Sequence, residues 1–300
     1  MPTPRIPLPG GLLTGPFTVA QARELYLARG RLRGSDLATP TRGVRRPACD
    51  EVDHLAHAQA FAAALPVDSA FSHATAARLH GLPTPAPWSG VAEELDVMRD
   101  SRSPRIQRSG CRHHRGLERR SVVELSGLRV TSATDTWCDL ADRWDHADLL
   151  AAADVLLRRQ HATPEVLVAA AAARTGRRGA GSLRTVAGLA RPGSASPGET
   201  LARHWFWAWG LPEPELNVAV LDAHGGWLAT CDFVWRRQRV VGEYDGDVHR
   251  TDRRTWQRDR ERRASLEDDG WAYVEMTSLC FSDDDRRAAL RRRLARLLLA

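Results

Sequence analysis

The chain contains no lysine; all 43 Lys/Arg positions are arginine. Any chemistry that needs a lysine ammonium must find another group, and arginine is a poor base because it stays protonated. Cysteine is sparse and scattered: Cys49, Cys111, Cys138, Cys231 and Cys280 are odd in number and show no C-x-x-C spacing. That argues against a disulfide framework and a thiolate zinc site, and fits a reducing cytoplasm. No apolar run approaches the ~20 residues a bilayer-spanning helix needs, so no membrane span is expected. The opening MPTPRIPLPGG lacks an apolar stretch, so a secretory leader is not expected either. There is no G-x-S-x-G, no Walker motif and no heptad run. Gly179-Ala-Gly181 lacks the strand and helix context of a nucleotide loop.

What is present is enough apolar material for a core. A length of 300 residues with 43% hydrophobic content suits about two domains, or three small ones. The net charge of +6 is unevenly placed. Residues 1–50 carry 8 Arg against 3 acids, residues 51–195 carry 18 against 16, and residues 196–300 carry 17 against 18. The basic beginning is the expected nucleic-acid footprint, and the acidic-leaning end would suit a metal site.

Three regions are expected. In residues 1–50, Thr18 caps a helix over 19–29 and a second short helix fits 31–37. ATPTRGVRRP then reads as a turn and a basic strand. Two helices and a basic hairpin are the order of a winged helix-turn-helix, with Arg31, Arg33, Arg42, Arg45 and Arg46 as phosphate contacts. A small helical cap with solvated arginines has the same pattern. Residues 51–192 read as a helical α+β region, with helices near 54–65, 72–80, 133–141, 147–159 and 163–174 and strands near 94–98, 106–113 and 128–131. Pro, Gly and Ser crowd into RPGSASPG at 191–198, which places a boundary near 193. Residues 193–300 then read as helix, three strands, helix, strand and helix.

The chemistry concentrates in that last region. Asp232 lies inside the apolar run LATCDFVW and Glu243 inside VVGEYD. If the hairpin turn is centred between Arg237 and Gln238, the two acids stand opposite each other, where like charges destabilise. A divalent cation, Mg2+ or Mn2+, would relieve that repulsion with Asp232 and Glu243 as its ligands. Asp245 points the same way two residues on. His249 follows the strand as a candidate to accept a proton or hold a phosphate. Glu199 opens the first helix of the region. The bland alternative is acids at strand ends paired with arginines. His54-x-x-His57 has helical spacing but no third ligand fixed by spacing.

Residues 195–300 resemble the very-short-patch-repair-like branch of the restriction-endonuclease superfamily, the PD-(D/E)xK nucleases. The resemblance rests on SPGETLARHWFWAWGLPEPELNV, CDFVW, VVGEYDGDVHR, the Asp259–Arg263 helix segment and GWAYVEMT. It implies a metal-dependent endonuclease fold with Glu199, Asp232 and Glu243 as its acidic motif positions. Asp245 stands where these families usually carry lysine, and His249 matches the histidine after EYDG. Residues 15–190 resemble the antitoxins of type IV abortive-infection systems (AbiEi-like). That likeness lies in FTVAQARELYLARGRLRGSDL, TRGV, FSHATAARLHGLP, GLRVTSATDTWCDLA and TGRRGAGSLR. It implies an N-terminal winged helix that binds DNA, and a cognate toxin as partner. Two functions are therefore expected as alternatives: a DNA endonuclease, or an antitoxin-like regulator whose nuclease fold is inactive.

Overall fold

The computed structural model describes residues 7–49, 52–85, 94–246 and 253–300, with backbone alone for 253–259. The protein is an α/β chain of two compact units, Met1–Asp142 and Arg143–Ala300. The division falls after Asp142, and the stretch around residue 193 lies inside the second unit. Ser194 there is 1% exposed; its carbonyl accepts from Arg158 at 2.6 Å and its hydroxyl from Thr200 at 2.9 Å. A segment with those bonds is packed structure, whatever its composition.

The first unit begins with β1 (Phe17–Thr18), α1 (Val19–Glu24), β2 (Leu37–Ala38) and β3 (Val44–Pro47). A reciprocal Thr18–Gln21 capping box starts α1. The helix expected to reach residue 29 stops early because Tyr26 takes φ +58. The Leu27 N–H then donates to the Ala22 carbonyl and the Tyr26 N–H to Arg23, a left-handed closure that glycine usually makes. The second expected helix is a single 3-10 turn, Arg31–Arg33. The strands form an antiparallel sheet in the order β1-β3-β2. Among its described residues this segment thus holds one short α-helix, two 3-10 turns (Gly10–Leu12 and Arg31–Arg33) and three short strands, with the expected hairpin present as β2–β3 and the second helix reduced to a turn.

The rest of that unit comprises α2 (His54–Ala62), β4 (Ala70–Phe71), α3 (His73–Leu79), β5 (Leu95–Arg99), β6 (Cys111–Arg115), β7 (Val122–Leu125), β8 (Leu128–Thr131) and α4 (Ala133–Leu140). The strands join in the order β6-β5-β4-β8-β7. Phe61, Phe71, Val97 and Val130 close the core between this sheet and its helices.

The second unit opens with three helices, α5 (His146–Arg158), α6 (Pro164–Ala173) and α7 (Ala180–Leu189). It continues with α8 (Pro197–Ala208), β9 (Glu215–Leu221), β10 (Trp227–Trp235), β11 (Val240–Asp245), α9 (Arg253–Asp268), β12 (Ala272–Thr277), α10 (Leu279–Ser282) and α11 (Asp284–Leu298). The sheet order is β12-β11-β10-β9, with β11 and β12 parallel and the other pairs antiparallel. Helices α8 and α11 cover one face through Phe206, Phe233, Trp235 and Leu294. Leu266 of α9 covers the other face over Cys231, Val234 and Val241. No described helix is long and apolar enough to cross a membrane.

Candidate functional site

The Ser196 hydroxyl caps α8 by accepting the Glu199 N–H at 3.2 Å. Gly198 lies flat on the Tyr244 ring, and a Cβ there would overlap it. That close approach seats the first turn of α8 against β11 and carries Glu199 into the interior, 6% exposed. Glu199 Oε2 accepts from the Ala195 N–H and from Asn217 Nδ2, each at 2.8 Å. Asn217 Nδ2 also donates to the Gly193 carbonyl at 2.8 Å. Its φ of +51 is a left-handed conformation that asparagine tolerates better than most residues.

The β10–β11 hairpin has the register that a turn centred between Arg237 and Gln238 predicts. Phe233 pairs with Gly242, Val234 with Val241 and Trp235 with Val240. One further step puts Asp232 opposite Glu243. The loop is longer than two residues: a 3-10 turn over Arg236–Gln238 closes through Arg239 at φ +53. Arg-Gln is not a favoured two-residue hairpin turn, and the longer loop does not require it to be one.

Register alone does not decide which side chains meet. Leu216, Phe233 and Trp235 pack in the α8-side layer, whereas Val218, Cys231 and Val234 pack in the α9-side layer. Cys231 and Phe233 are two apart yet lie on opposite faces, as do Leu216 and Val218. Strict alternation along a strand forbids this. Both strands therefore switch faces at one level, at Asn217 and Asp232, the kind of local irregularity that re-aims a side chain.

Asp232 turns toward the β11 backbone, where its Oδ2 accepts the Tyr244 N–H at 2.8 Å. Burial pushes its carboxyl up to about 6. The Tyr244 N–H and Arg262 oppose that rise, and the Glu199 charge adds to it. Glu243 meets other groups: the Cys231 thiol and Arg262, whose Nη1 is 3.5 Å from Glu243 Oε1. Burial, then the Glu243 charge, pushes the Cys231 thiol up to about 12, so it is no nucleophile at neutral pH. Asp245 is half-buried on the same strand. His249 lies outside the described residues, as do the side chains of Arg253 and Arg254.

The Glu199 charge thus acts on Asp232, and Glu243 is paired with Arg262. Among the described residues, no group of three or more His, Cys, Asp or Glu has metal-holding geometry. Asp232 Oδ1 and Glu199 Oε1 accept no hydrogen bond from a described residue. Two carboxylates with one uncommitted oxygen each fit a hard divalent cation that keeps waters and substrate phosphate as further ligands. Sequence reasoning passed over Asn217, Arg262 and Cys231. Asn217 carried a signal, a turn-type residue inside the strand ELNVAVL. Arg262 lies in the Asp259–Arg263 segment that carries the resemblance, but as one arginine among many in α9 it was not singled out.

The five N-terminal arginines divide into two groups. Arg31 grips Asp36 with two hydrogen bonds, 3.0 and 2.6 Å, and its side chain is 7% exposed. Arg45 donates to the Leu32 and Val44 carbonyls at 2.8 Å each, and Arg46 donates to Pro47 and Cys49. Arg33 and Arg42 are exposed.

No family model matches the chain. Two uncharacterized proteins of Mycobacterium tuberculosis, from two strains, are each 30% identical to it over 179 residues, 59% of this chain. The matched part spans 64% of the length of those relatives. No solved structure matches it.

Proposed function

We propose that the chain is a cytoplasmic DNA-binding protein whose C-terminal unit is a restriction-endonuclease-like site for metal-dependent hydrolysis of DNA phosphodiesters. The observation that carries this reading is the half-buried Asp232, whose carboxyl is pushed up by burial and by the Glu199 charge. A Mg2+ or Mn2+ ion bound there would lower the pKa of a water and neutralise phosphate charge. Asp232 and Glu199 would hold the ion through Oδ1 and Oε1, while Asn217 and the Ala195 N–H fix the Glu199 carboxylate. The Tyr244 N–H fixes Asp232. Arg262, paired with Glu243 and acting by its charge on Asp232, would take the electrostatic place of the missing lysine without acting as a base. Asp245 and His249 follow as candidates to position water, and a winged-helix-like N-terminal segment would supply duplex contacts through Arg33 and Arg42.

The test is cleavage of supercoiled plasmid and single-stranded DNA by the full chain with Mg2+ or Mn2+. Nicking is expected from wild type, and loss of nicking from Asp232→Asn and on chelation. No cleavage of either substrate with either metal overturns the reading. One observation favours a second: Arg262 beside Glu243 is an internal cation in the place where a catalytic metal would act. An antitoxin-like regulator with an inactive nuclease fold, bound to DNA and to a cognate toxin, would then bind its promoter without cutting it.

A further inference from the structure

Strand β6 is an edge of the five-stranded sheet of the first unit, and among the described residues it pairs with β5 alone. The parallel ladder fixes which of its backbone groups face β5. The Leu95 N–H donates to the Gly110 carbonyl at 2.8 Å and the Gly116 N–H to the Arg99 carbonyl at 3.0 Å. Leu95 stands level with Cys111, and Arg99 with Arg115. Residues 110, 112, 114 and 116 therefore turn to β5, and Cys111, His113 and Arg115 turn outward. The Cys111 N–H donates to the Arg108 carbonyl at 3.0 Å. The outward N–H and carbonyl groups of His113 and Arg115 make no hydrogen bond with a described residue. An edge strand of the second unit is treated differently: on β12 the Tyr273 carbonyl accepts from Arg293 Nη2 at 2.8 Å.

The open edge is strongly basic. Residues 101–117 carry five arginines and no acid. Arg112 is answered, with Nη2 3.2 Å from Glu94 and Nη1 3.6 Å from Asp96. Arg102, Arg105 and Arg115 are exposed, and their side chains form no hydrogen bond or ion pair with a described residue. Two of them flank the open backbone groups. Arg115 is on the edge itself, and Arg105 precedes Ile106, whose backbone N is 3.5 Å from His113 Nδ1. The His113 ring registers their field: burial first, then Arg105, Arg115, His114 and Arg99, holds its pKa below the usual value. Arg99 is paired with Asp68 at 2.6 Å, which leaves Arg105 and Arg115 as the uncompensated arginines there.

Charge on an edge strand deters pairing with a second copy, because two basic strands repel. The same charge selects an acidic strand. A nucleic-acid phosphate accepts hydrogen bonds but does not donate them, so it would leave the outward carbonyls unanswered. Another extended backbone answers both kinds of group.

We infer that β6 is a docking edge for an extended acidic segment of a partner protein, which adds to the sheet as a further strand. Its backbone pairs with His113 and Arg115, and its carboxylates lie toward Arg105 and Arg115. This edge is independent of the carboxylates of the second unit, so it stands or falls apart from the nuclease reading.

The test is titration of the full chain with an acetylated peptide of alternating Glu and Thr, about ten residues long. Binding is read by fluorescence anisotropy and by hydrogen–deuterium exchange of the β6 amides. Saturable binding is expected, with exchange at His113 and Arg115 slowed by about tenfold or more. The same peptide N-methylated throughout keeps its charge but loses every backbone donor, and should bind at least about tenfold more weakly. An Arg-Thr peptide of equal length should bind at least as weakly. Arg105→Glu with Arg115→Glu should weaken the acidic peptide by about tenfold without lowering the melting temperature, since both guanidiniums are exposed and unpaired. No binding up to about 1 mM overturns the inference. Undiminished binding to the double variant overturns the charge selection, and equal affinity for the N-methylated peptide overturns strand addition. Protection of β6 by duplex DNA but not by the acidic peptide would overturn it in favour of nucleic acid.

Discussion

Two acids of the second unit, Asp154 buried and Asp232 half-buried, show how desolvation serves different ends. Asp154 is 1% exposed and fully answered: Oδ1 accepts the Arg191 N–H at 2.8 Å, and Oδ2 accepts from Thr200 at 2.8 Å and Arg203 at 2.7 Å. Asp232, one turn away in its helix contacts, has a single backbone hydrogen bond and a like charge, Glu199, as neighbour. Burial is the first cause of an upward pKa shift in both. In Asp154 the opposing causes are an arginine and three hydrogen bonds. In Asp232 the rise is reinforced by another carboxylate. An acid that the fold compensates holds helices together; an acid that the fold leaves against a like charge keeps its proton to higher pH.

That contrast breaks most sharply at Asp154. Asp154→Ala should cost about 3–5 kcal/mol in urea unfolding, because it strands the buried Arg203, which is 4% exposed. A loss below about 1 kcal/mol would mean the pair is incidental. Asp232→Asn should act in the opposite direction in metal-free protein, raising stability by about 1 kcal/mol after allowance for its partial exposure. The sign follows from proton binding. The folded carboxyl at about 6 holds its proton above the unfolded value of 3.8, so the folded state binds more protons between those values. Stability should therefore fall as pH rises from about 4 to about 6. Asp148, also pushed up to about 6 by burial and by Asp145, adds a decline of the same sign. Asp232→Asn should flatten part of the slope and leave the Asp148 part; an unchanged slope would contradict the assignment.

In the first unit, Arg33→Ala and Arg42→Ala should each lower the log–log salt slope of duplex binding by about 1, with melting unchanged. Arg31→Ala and Arg45→Ala should lower the melting temperature as well, because both guanidiniums bind the fold. Binding that is insensitive to salt would remove phosphate contact as the mechanism. The smallest effect belongs to the exposed pair Arg236–Glu215 at 2.7 Å, where Arg236→Ala should cost under about 1 kcal/mol.

Much of the C-terminal unit was legible, because apolar runs broken by Gly and charged residues mark strands and helices clearly. The hairpin register was legible too, from the length between LATCDFVW and VVGEYD. The partner of Asp232 was not. It depends on two strands switching faces where Asn217 takes a left-handed backbone, and no periodicity reports that. The end of α1 was hidden for a similar reason: Tyr26 occupies a conformation usually given to glycine, so the sequence showed no stop before residue 29. The stretch near 193, marked by its composition, is packed structure inside the second compact unit. Ser194 and Thr200 bond into α5 and α8, which a count of Pro, Gly and Ser does not see.

The metal-holding role of Asp232 and Glu199 is tested most directly by thermal unfolding of wild type and Asp232→Asn with increasing Mn2+. An ion that binds only the folded site raises the melting temperature in proportion to occupancy. A dose-dependent rise in wild type, absent in Asp232→Asn and reversed by chelation, is the expected result. Equal shifts in both proteins, or none in either, would contradict a cation at these carboxylates.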